Sequence, residues 1–356
     1  MAIAFSRESV AEVVAGRPRM SMFVPTYNEE TAIAACLETI VAQDYPAELI
    51  EVLVVDGRSE DNTIGEVQRF VQELRSRTSD PIPDIRVIDN PQRDQASAWN
   101  RAMEETTGDV IALVVAHSFL APDFTSRAIA RLQDGNADVV GGPYRMVGVG
   151  AAGEAIAAAM SSRFGVGQSR YRWGGDVEDI DSLANAIYPV PLLKRFMPFD
   201  SSIGKGIGQD WDIHFRMREE GVRLGQYSDI KHEFHARSSL SRLWTQQFKY
   251  ATTKVDVIRK HGLKALRASH FIPLLFVLWV FIGAAVAAAV PSFRTIWWGA
   301  LALYGVCDLL ASFATAAKHG LRLLPLLFVS FLCMHLSYGI GMLWGLLQGR
   351  WLRAVD

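Results

Sequence analysis

Two short polar loops carry the residues best suited to chemistry. Pro25-Thr26-Tyr27-Asn28-Glu29-Glu30 follows the apolar run Met20 to Val24, and Asp56-Gly57-Arg58-Ser59-Glu60-Asp61-Asn62-Thr63 follows the run Val52 to Val55. A carboxylate at a strand tip accepts a hydrogen bond from an imide or amide N–H, so Asp56, with Asn28 and Glu29 beside it, can read a nucleotide base. A plain turn after a strand would give the same Asp56-Gly57 pair. Further along, Gln209-Asp210-Trp211-Asp212 opens a helical pattern, where residue type alone makes Asp210 a cap. Between Ser161 and Ala186 the arginines 163, 170 and 172 mix with Tyr171, Trp173 and several carboxylates. Aromatic faces and planar hydrogen-bonding groups grip sugars, although a solvated loop with a few anchoring aromatics reads alike.

Such loops need strands beneath them. Buried strands of parallel sheets are apolar runs whose ligands bind at their carboxyl ends. Between the two runs, Ile33, Cys36, Leu37, Ile40 and Val41 recur at helical spacing within Glu30 to Gln43, and Pro46 follows, giving a strand, a helix and a strand.

The chain has 356 residues, 50% of them hydrophobic, which allows one large domain and more. Phe271 to Val290, Ile296 to Ala317 and Leu323 to Leu347 are each near the roughly 20 residues that cross a bilayer. Arg259, Lys260, Lys264 and Arg267 precede the first stretch, and Lys318 and Arg322 separate the second and third. The other side receives Arg294, Arg350 and Arg353. That bias predicts an integral protein of a bacterial-type inner membrane with its large N-terminal region cytoplasmic. Met1 to Val14 lacks the apolar core of a secretory signal. Cys36, Cys307 and Cys333 are scattered thiols that suit a reducing compartment, and a net charge of −2 argues against a nucleic-acid partner. Ser241 to His261 is basic and amphipathic, as expected of an interfacial helix on anionic membrane lipids or of a helix packed on the domain.

The motifs, in order, are Pro25 to Glu30, Asp56-Gly57-x-Ser59-x-Asp61-x-Thr63, Asn90-Pro91-x-Arg93 leading to Asn100, Gly141-Gly142-Pro143, Ser161-Ser162-x-Phe164-Gly165-Val166-Gly167, Tyr171-Arg172, Gln209-Asp210-x-Asp212 and Arg237-Ser238-Ser239-Leu240. Together they resemble the inverting family 2 glycosyltransferases, in their ExoA-like succinoglycan glucosyltransferase branch. The resemblance implies an α/β GT-A fold, a Rossmann-like nucleotide-binding sheet flanked by helices, followed by three C-terminal transmembrane helices. The expected organisation is an N-terminal segment 1–18, a cytoplasmic glycosyltransferase domain 19–240, the basic helix 241–268 and the spans within 269–350.

The resemblance also assigns roles. Pro25, Thr26, Tyr27, Asn28, Glu29, Asp56 and Arg93 would bind the donor nucleotide, Asp210 would be the base that takes the acceptor proton, and Arg237, Tyr171 and Arg172 would face the diphosphate and acceptor. The partners implied are a nucleotide-sugar donor, a lipid-linked saccharide acceptor and membrane lipids. Members carry an Asp-x-Asp or Asp-x-His that holds Mg²⁺ or Mn²⁺. Here Val115 replaces the first Asp and His117 alone keeps a ligand. His117 with donor phosphates, water and His235 could hold the cation, or Arg237 could replace it as a guanidinium clamp. Without either, the chain would be a silent nucleotide-binding protein of a polysaccharide assembly complex. A polyprenyl-phosphate sugar transferase, whose acceptor needs no base, is the alternative within enzymes.

Other patterns carry less. Gly148-x-Gly150-x-x-Gly153 lacks the βαβ setting of a dinucleotide site and reads as a flexible connection. Gly204 to Gly208 reads as a mobile loop before the helix of Asp210. His232 and His235, three apart, read as paired histidines without a zinc-type carboxylate cluster. Asp308 and His335 are ionisable groups in apolar helices, where a partner across the second and third is expected.

Overall fold

The computed structural model describes residues 7–203 and 208–348. In chain order the strands are β1 (Met20–Thr26), β2 (Ile50–Asp56), β3 (Asp84–Asp89), β4 (Val110–Leu113), β5 (Ser118–Leu120), β6 (Val139–Gly141), β7 (Tyr144–Val147), β8 (Ile187–Pro189), β9 (Leu224–Gln226) and β10 (His232–His235). The helices are α1 (Arg7–Val13), α2 (Ile33–Val41), α3 (Thr63–Arg77), α4 (Gln95–Glu105), α5 (Phe124–Gln133), α6 (Gly150–Met160), α7 (Arg163–Val166), α8 (Val190–Phe196), α9 (Gln209–Glu219), α10 (Leu240–His261), α11 (Ile272–Ala289), α12 (Arg294–His319) and α13 (Leu324–Leu347).

The main sheet has the order β3-β2-β1-β4-β8-β6-β9. β1 pairs in parallel with both β2 and β4, and β2 with β3, whereas β8 is antiparallel to β4 and β6. The chain winds outward from β1 to β3 and then returns to the other side of β1, so the order reverses between β1 and β4. That reversal opens a crevice at the carboxyl ends of the two strands, the usual ligand position in open α/β sheets. β2 is buried along its whole length and β1 nearly so, which is why both read as continuous apolar runs. Two polar side chains break these runs, Ser21 in β1 and Glu51 in β2. Glu51, fully buried in β2, accepts from the Thr107 and Gly108 backbone N–H groups at 2.7 and 3.0 Å, from Arg86 at 2.8 Å and from the Ser21 hydroxyl. Burial alone would raise its carboxyl pKa, but these donors hold it below the usual range, and the loop 106–108 is clamped under the sheet.

α2 begins three residues later than its apolar spacing predicts. The Glu29 and Glu30 backbone N–H groups donate to Thr63 Oγ1 at 2.8 Å and Asp61 Oδ2 at 3.2 Å, which draws these residues into the loop.

The chain forms two compact units that do not follow its linear order. One comprises 1–145 and 174–234, and the other 146–173 and 235–356. The segment Met146–Trp173, placed with the glycosyltransferase domain by linear reading, thus groups with the C-terminal helices. In that second unit three stretches are long and apolar enough to cross a membrane, Ala268–Ala289, Pro291–His319 and Leu321–Leu347. Their outward side chains include Leu275, Phe281, Trp298, Leu303, Leu310 and Phe313, all exposed. The basic helix α10 lays Val255 and Ala251 against α13, where a Cβ at Gly341 would come within 2.6 Å of the Phe248 carbonyl.

Gly148 and Gly150 are not a flexible connection. A Cβ on Gly148 would meet the Gly153 carbonyl carbon at 2.1 Å, so Gly148 allows close backbone packing at the start of α6, whose Ala155 to Met160 are buried, while Gly150 supplies a φ of 71°. Gly204 to Ile207 of the expected mobile loop, and Arg350 and Arg353 of the charge bias, lie outside the described residues.

Candidate active site

Thr26, Asp56 and Asp89 end β1, β2 and β3 in register. Asp56 is 7% exposed and organises the junction. Its Oδ1 accepts from the hydroxyls of Ser59 at 2.6 Å and Thr26 at 3.3 Å, and its Oδ2 from the Ser59 backbone N–H at 3.0 Å. A carboxylate offers about four acceptor positions. Three are engaged, which leaves one for a ligand N–H. The two loops then lace together: the Asn28 N–H donates to Ser59 Oγ at 3.0 Å, and the Glu60 N–H donates to Asn28 Oδ1 at 2.8 Å. Asn28, Arg58 and Arg93 all sit at left-handed φ of 56°, 58° and 60°, a cost that residues other than glycine bear only where surroundings impose it. Gly57 donates to the Thr26 carbonyl at 2.8 Å and leaves no ordinary space for a Cβ, which would lie 3.3 Å from that oxygen.

Pro25 pairs with Val55 inside the strand ladder, while Tyr27 is exposed and faces the Arg93 guanidinium at 5.6 Å. Arg93 also donates to Glu60 at 3.0 Å. It reaches the junction because its backbone N–H donates to the carbonyl of Asn90, whose own N–H donates to the Asp56 carbonyl at 2.8 Å.

Across the crevice, the chain after β4 brings His117 to Glu29, with 3.5 Å between Nδ1 and Oε1. The His117 ring packs at a steep angle on Phe234, with ring centroids 4.9 Å apart. Among the described residues no group of three or more His, Cys, Asp or Glu side chains could hold a metal. The pair nevertheless suits a cation completed by a substrate, because one carboxylate and one imidazole match Mn²⁺ better than Mg²⁺ and donor phosphates with water supply the remaining oxygens. His235 is not a partner of His232 in any shared site. The two lie on strand β10, where residues three apart point to opposite faces. His232 is buried between Phe124 and Tyr144, and burial lowers its pKa to about 4.

Asp210 lies in the first turn of α9, after Gly208 at φ 93°. It is half-buried, and its Oδ1 accepts from the Trp211 N–H at 2.8 Å. Asp212 is different: it is fully buried and bound to Arg216 at 3.1 Å. One turn on, His214 Nε2 lies 2.7 Å from the Tyr188 hydroxyl of β8 and Nδ1 lies 3.0 Å from Ser182 Oγ. Burial, assisted by the Arg218 charge, pushes the His214 pKa down to about 3, so a neutral ring fastens α9 to the sheet. Burial first and the Asp210 charge second raise the Tyr188 pKa. Tyr188, Ser182 and His214 support the Asp210 turn, yet sequence reasoning passes over them, because Ile187-Tyr188-Pro189-Val190 reads as an apolar run.

Arg237, Tyr171 and Arg172 belong to the second unit. Arg237 is exposed just before α10, whereas Arg172 is buried with its guanidinium 5.2 Å from the Tyr171 ring and 5.7 Å from that of Tyr250.

A mixed sheet with paired nucleotide-type loops at its order reversal is the plan of GT-A glycosyltransferases. The mannosyltransferase PcManGT of Pyrobaculum calidifontis, solved with GDP-Man and Mn²⁺, shares the fold at a TM-score of 0.61 and 20% identity over 95% of this chain and 93% of that one. The glycosyl transferase family 2 model matches residues 21–195 of the chain. The chain is similar to the succinoglycan biosynthesis protein ExoA of Rhizobium meliloti, with 26% identity over 89% of this chain and 92% of the relative. It is also similar to the dolichyl N-acetyl-alpha-D-glucosaminyl phosphate 3-beta-D-2,3-diacetamido-2,3-dideoxy-beta-D-glucuronosyltransferase of Methanococcus voltae, with 26% identity over 68% of this chain and 74% of the relative.

Proposed function

We propose that this glycosyltransferase moves a sugar, with inversion, from a nucleotide-sugar donor to a lipid-linked saccharide acceptor at the cytoplasmic face of a membrane. The observation that carries the reading is the Asp56-centred junction of two interlaced loops at the carboxyl ends of β1 and β2. Asp56 orients the base, the edges of Thr26 and Asn28 complete its recognition, and Tyr27 with Arg93 covers it. ExoA, by its name, serves succinoglycan biosynthesis, and the Methanococcus relative acts on a dolichyl-linked sugar phosphate. Both support a lipid-linked or polysaccharide acceptor here, and the three apolar helices would keep the enzyme beside it.

Asp210 is the base. Asp212 is fully buried against Arg216, whereas Asp210 is half-buried in the first turn of α9. The helix N-terminus favours its ionised form, ready to accept the acceptor hydroxyl's proton as the sugar bond forms from the opposite face. Glu29 and His117 would hold Mn²⁺, which supplies charge neutralisation at a departing diphosphate when bound. Arg237, Tyr171 and Arg172 are the proposed diphosphate and acceptor contacts.

The test is nucleoside diphosphate release from a panel of nucleotide sugars by the full chain in native lipids, with the product anomer read by NMR. Release that is inverting, falls by roughly 10²–10⁴-fold in Asp210→Asn and persists in Asp212→Asn supports the reading. Undiminished release in Asp210→Asn would favour transfer to a polyprenyl phosphate, which needs no base. Mn²⁺ bound to Glu29→Gln/His117→Ala as tightly as to the wild type, measured by electron paramagnetic resonance, would remove the metal assignment.

A further inference from the structure

The arginines of Arg163 to Trp173 are held in a way that a solvated loop does not require. The Arg163 guanidinium stacks 4.2 Å over the Trp173 ring, with that of Arg170 at 5.9 Å from the same ring. Trp173 is fixed in turn, because its indole N–H donates to the Gly167 carbonyl at 3.0 Å, and Gly167 makes the turn at φ 58°. Arg267, at the entry to the first apolar helix, joins the group by donating to Gln168 Oε1 at 3.2 Å. Arginines 163, 170 and 267 are exposed, and no carboxylate among the described residues pairs with Arg163. A guanidinium held over an aromatic ring by its π-face retains the N–H fork that fits phosphate oxygens.

The depth of this cluster is set by a polar chain between the apolar helices. His335 of α13 lies 2.8 Å from the Phe164 carbonyl through Nε2 and 2.9 Å from the Tyr304 hydroxyl through Nδ1. Tyr304 lies 3.4 Å from Asp308, which accepts from Ser312 at 3.1 Å. With Nε2 protonated, His335 donates to the Phe164 carbonyl and its Nδ1 accepts the single Tyr304 O–H, with Asp308 on the other side of the tyrosine oxygen. Phe276, in the first turns of α11, stacks on Tyr304 at 4.2 Å. The backbone beside Arg163 is therefore fastened level with the start of the first apolar helix, where a lipid-borne phosphate would emerge.

We infer that Arg163, Arg170 and Arg267 form a binding site for the diphosphate of a lipid-linked acceptor, held at that depth by His335. The inference rests on the lipid-linked acceptor proposed above and assigns its phosphates to residues outside the loops of β1 and β2.

The test uses the full chain in phosphatidylcholine nanodiscs, titrated with undecaprenyl diphosphate. The triple variant Arg163→Gln/Arg170→Gln/Arg267→Gln should bind it at least about tenfold more weakly, the scale of lost charge-assisted hydrogen bonds. Arg163→Lys, which keeps the charge and loses the fork, should fall between. An unchanged melting temperature and unchanged nucleotide binding show that the variant is folded, and Arg267→Gln alone, on an exposed turn, gives a second measure if it is not. Neither phosphatidylglycerol nor inorganic diphosphate at tenfold phosphate excess should displace the lipid. Equal binding by the variants overturns the site. Full displacement by phosphatidylglycerol would make it a general headgroup surface, and full displacement by inorganic diphosphate a soluble-anion site, and either result also overturns it. Nucleoside diphosphate release is scored separately: variant-sensitive lipid binding with no turnover of any donor would leave this site standing and sink the transferase reading, and the reverse result would do the opposite.

Discussion

Two aspartates two positions apart have opposite fates, and burial decides between them. Fully buried Asp212 pairs at 3.1 Å with the partly exposed Arg216, and Asp212→Asn leaves the guanidinium facing an amide. That change should cost about 2 kcal/mol of stability, read as a lowered melting temperature, while the substituted protein that remains folded keeps its turnover. Asp210→Asn should show the reverse pattern, a normal melting temperature with lost turnover. Histidines 214 and 232 give a second residue-scale expectation. Both are buried with folded pKa values of about 3 and about 4, below the ordinary 6.5. A depressed histidine pKa contributes stability that is present above pH 6.5 and is lost as pH falls from there towards 4. Melting temperature against pH should decline across that window, and His232→Phe, in a ring-lined site where neither ring nitrogen has a hydrogen-bond partner among the described residues, should flatten the decline.

At the scale of elements, glycines mark where helices approach closely. Gly341 and Gly345 of α13 meet Phe248 and Val255 of α10, and Gly339 lies against the Pro273 carbonyl at a Cβ distance of 2.2 Å. Gly341→Leu would force the two helices apart and should cost about 2 kcal/mol, measured as a lower unfolding temperature in detergent. The same substitution at Gly299, where a Cβ meets nothing within 4 Å, should be nearly neutral. Such pairs of glycines separate packing from any general intolerance of bulk in an apolar helix. The amphipathic pattern of α10 was legible in the sequence, but two different partners suit one apolar stripe. Which surface covers it depends on the glycine row of a helix some 90 residues downstream in α13, so no local pattern could choose.

For the whole molecule, the charge bias around the apolar helices predicts that the turns at 291–293 and 320–323 face opposite sides of the membrane, the second on the cytoplasmic side. A single cysteine at Ser292, in a background with Cys36, Cys307 and Cys333 replaced, should react with an impermeant maleimide added to intact cells. One at His319 should react only after permeabilisation. The opposite labelling would place the donor loops outside, where nucleotide sugars are scarce, and would overturn the proposed orientation.

The sequence by itself determined the strand runs, the polar loops after them, the three apolar helices and the family motifs, because each is written in contiguous residues through period, length and turn chemistry. Tertiary structure decided what those residues face. It set the order reversal between β1 and β4, which brings Glu29 to His117 across more than 80 positions of sequence. It also moved 146–173 into the unit of the apolar helices, and it placed Tyr304 between Asp308 and His335. Side-chain partners of this kind follow from how sheets and helices pack, and that packing balances the burial of the whole chain at once, not any one segment.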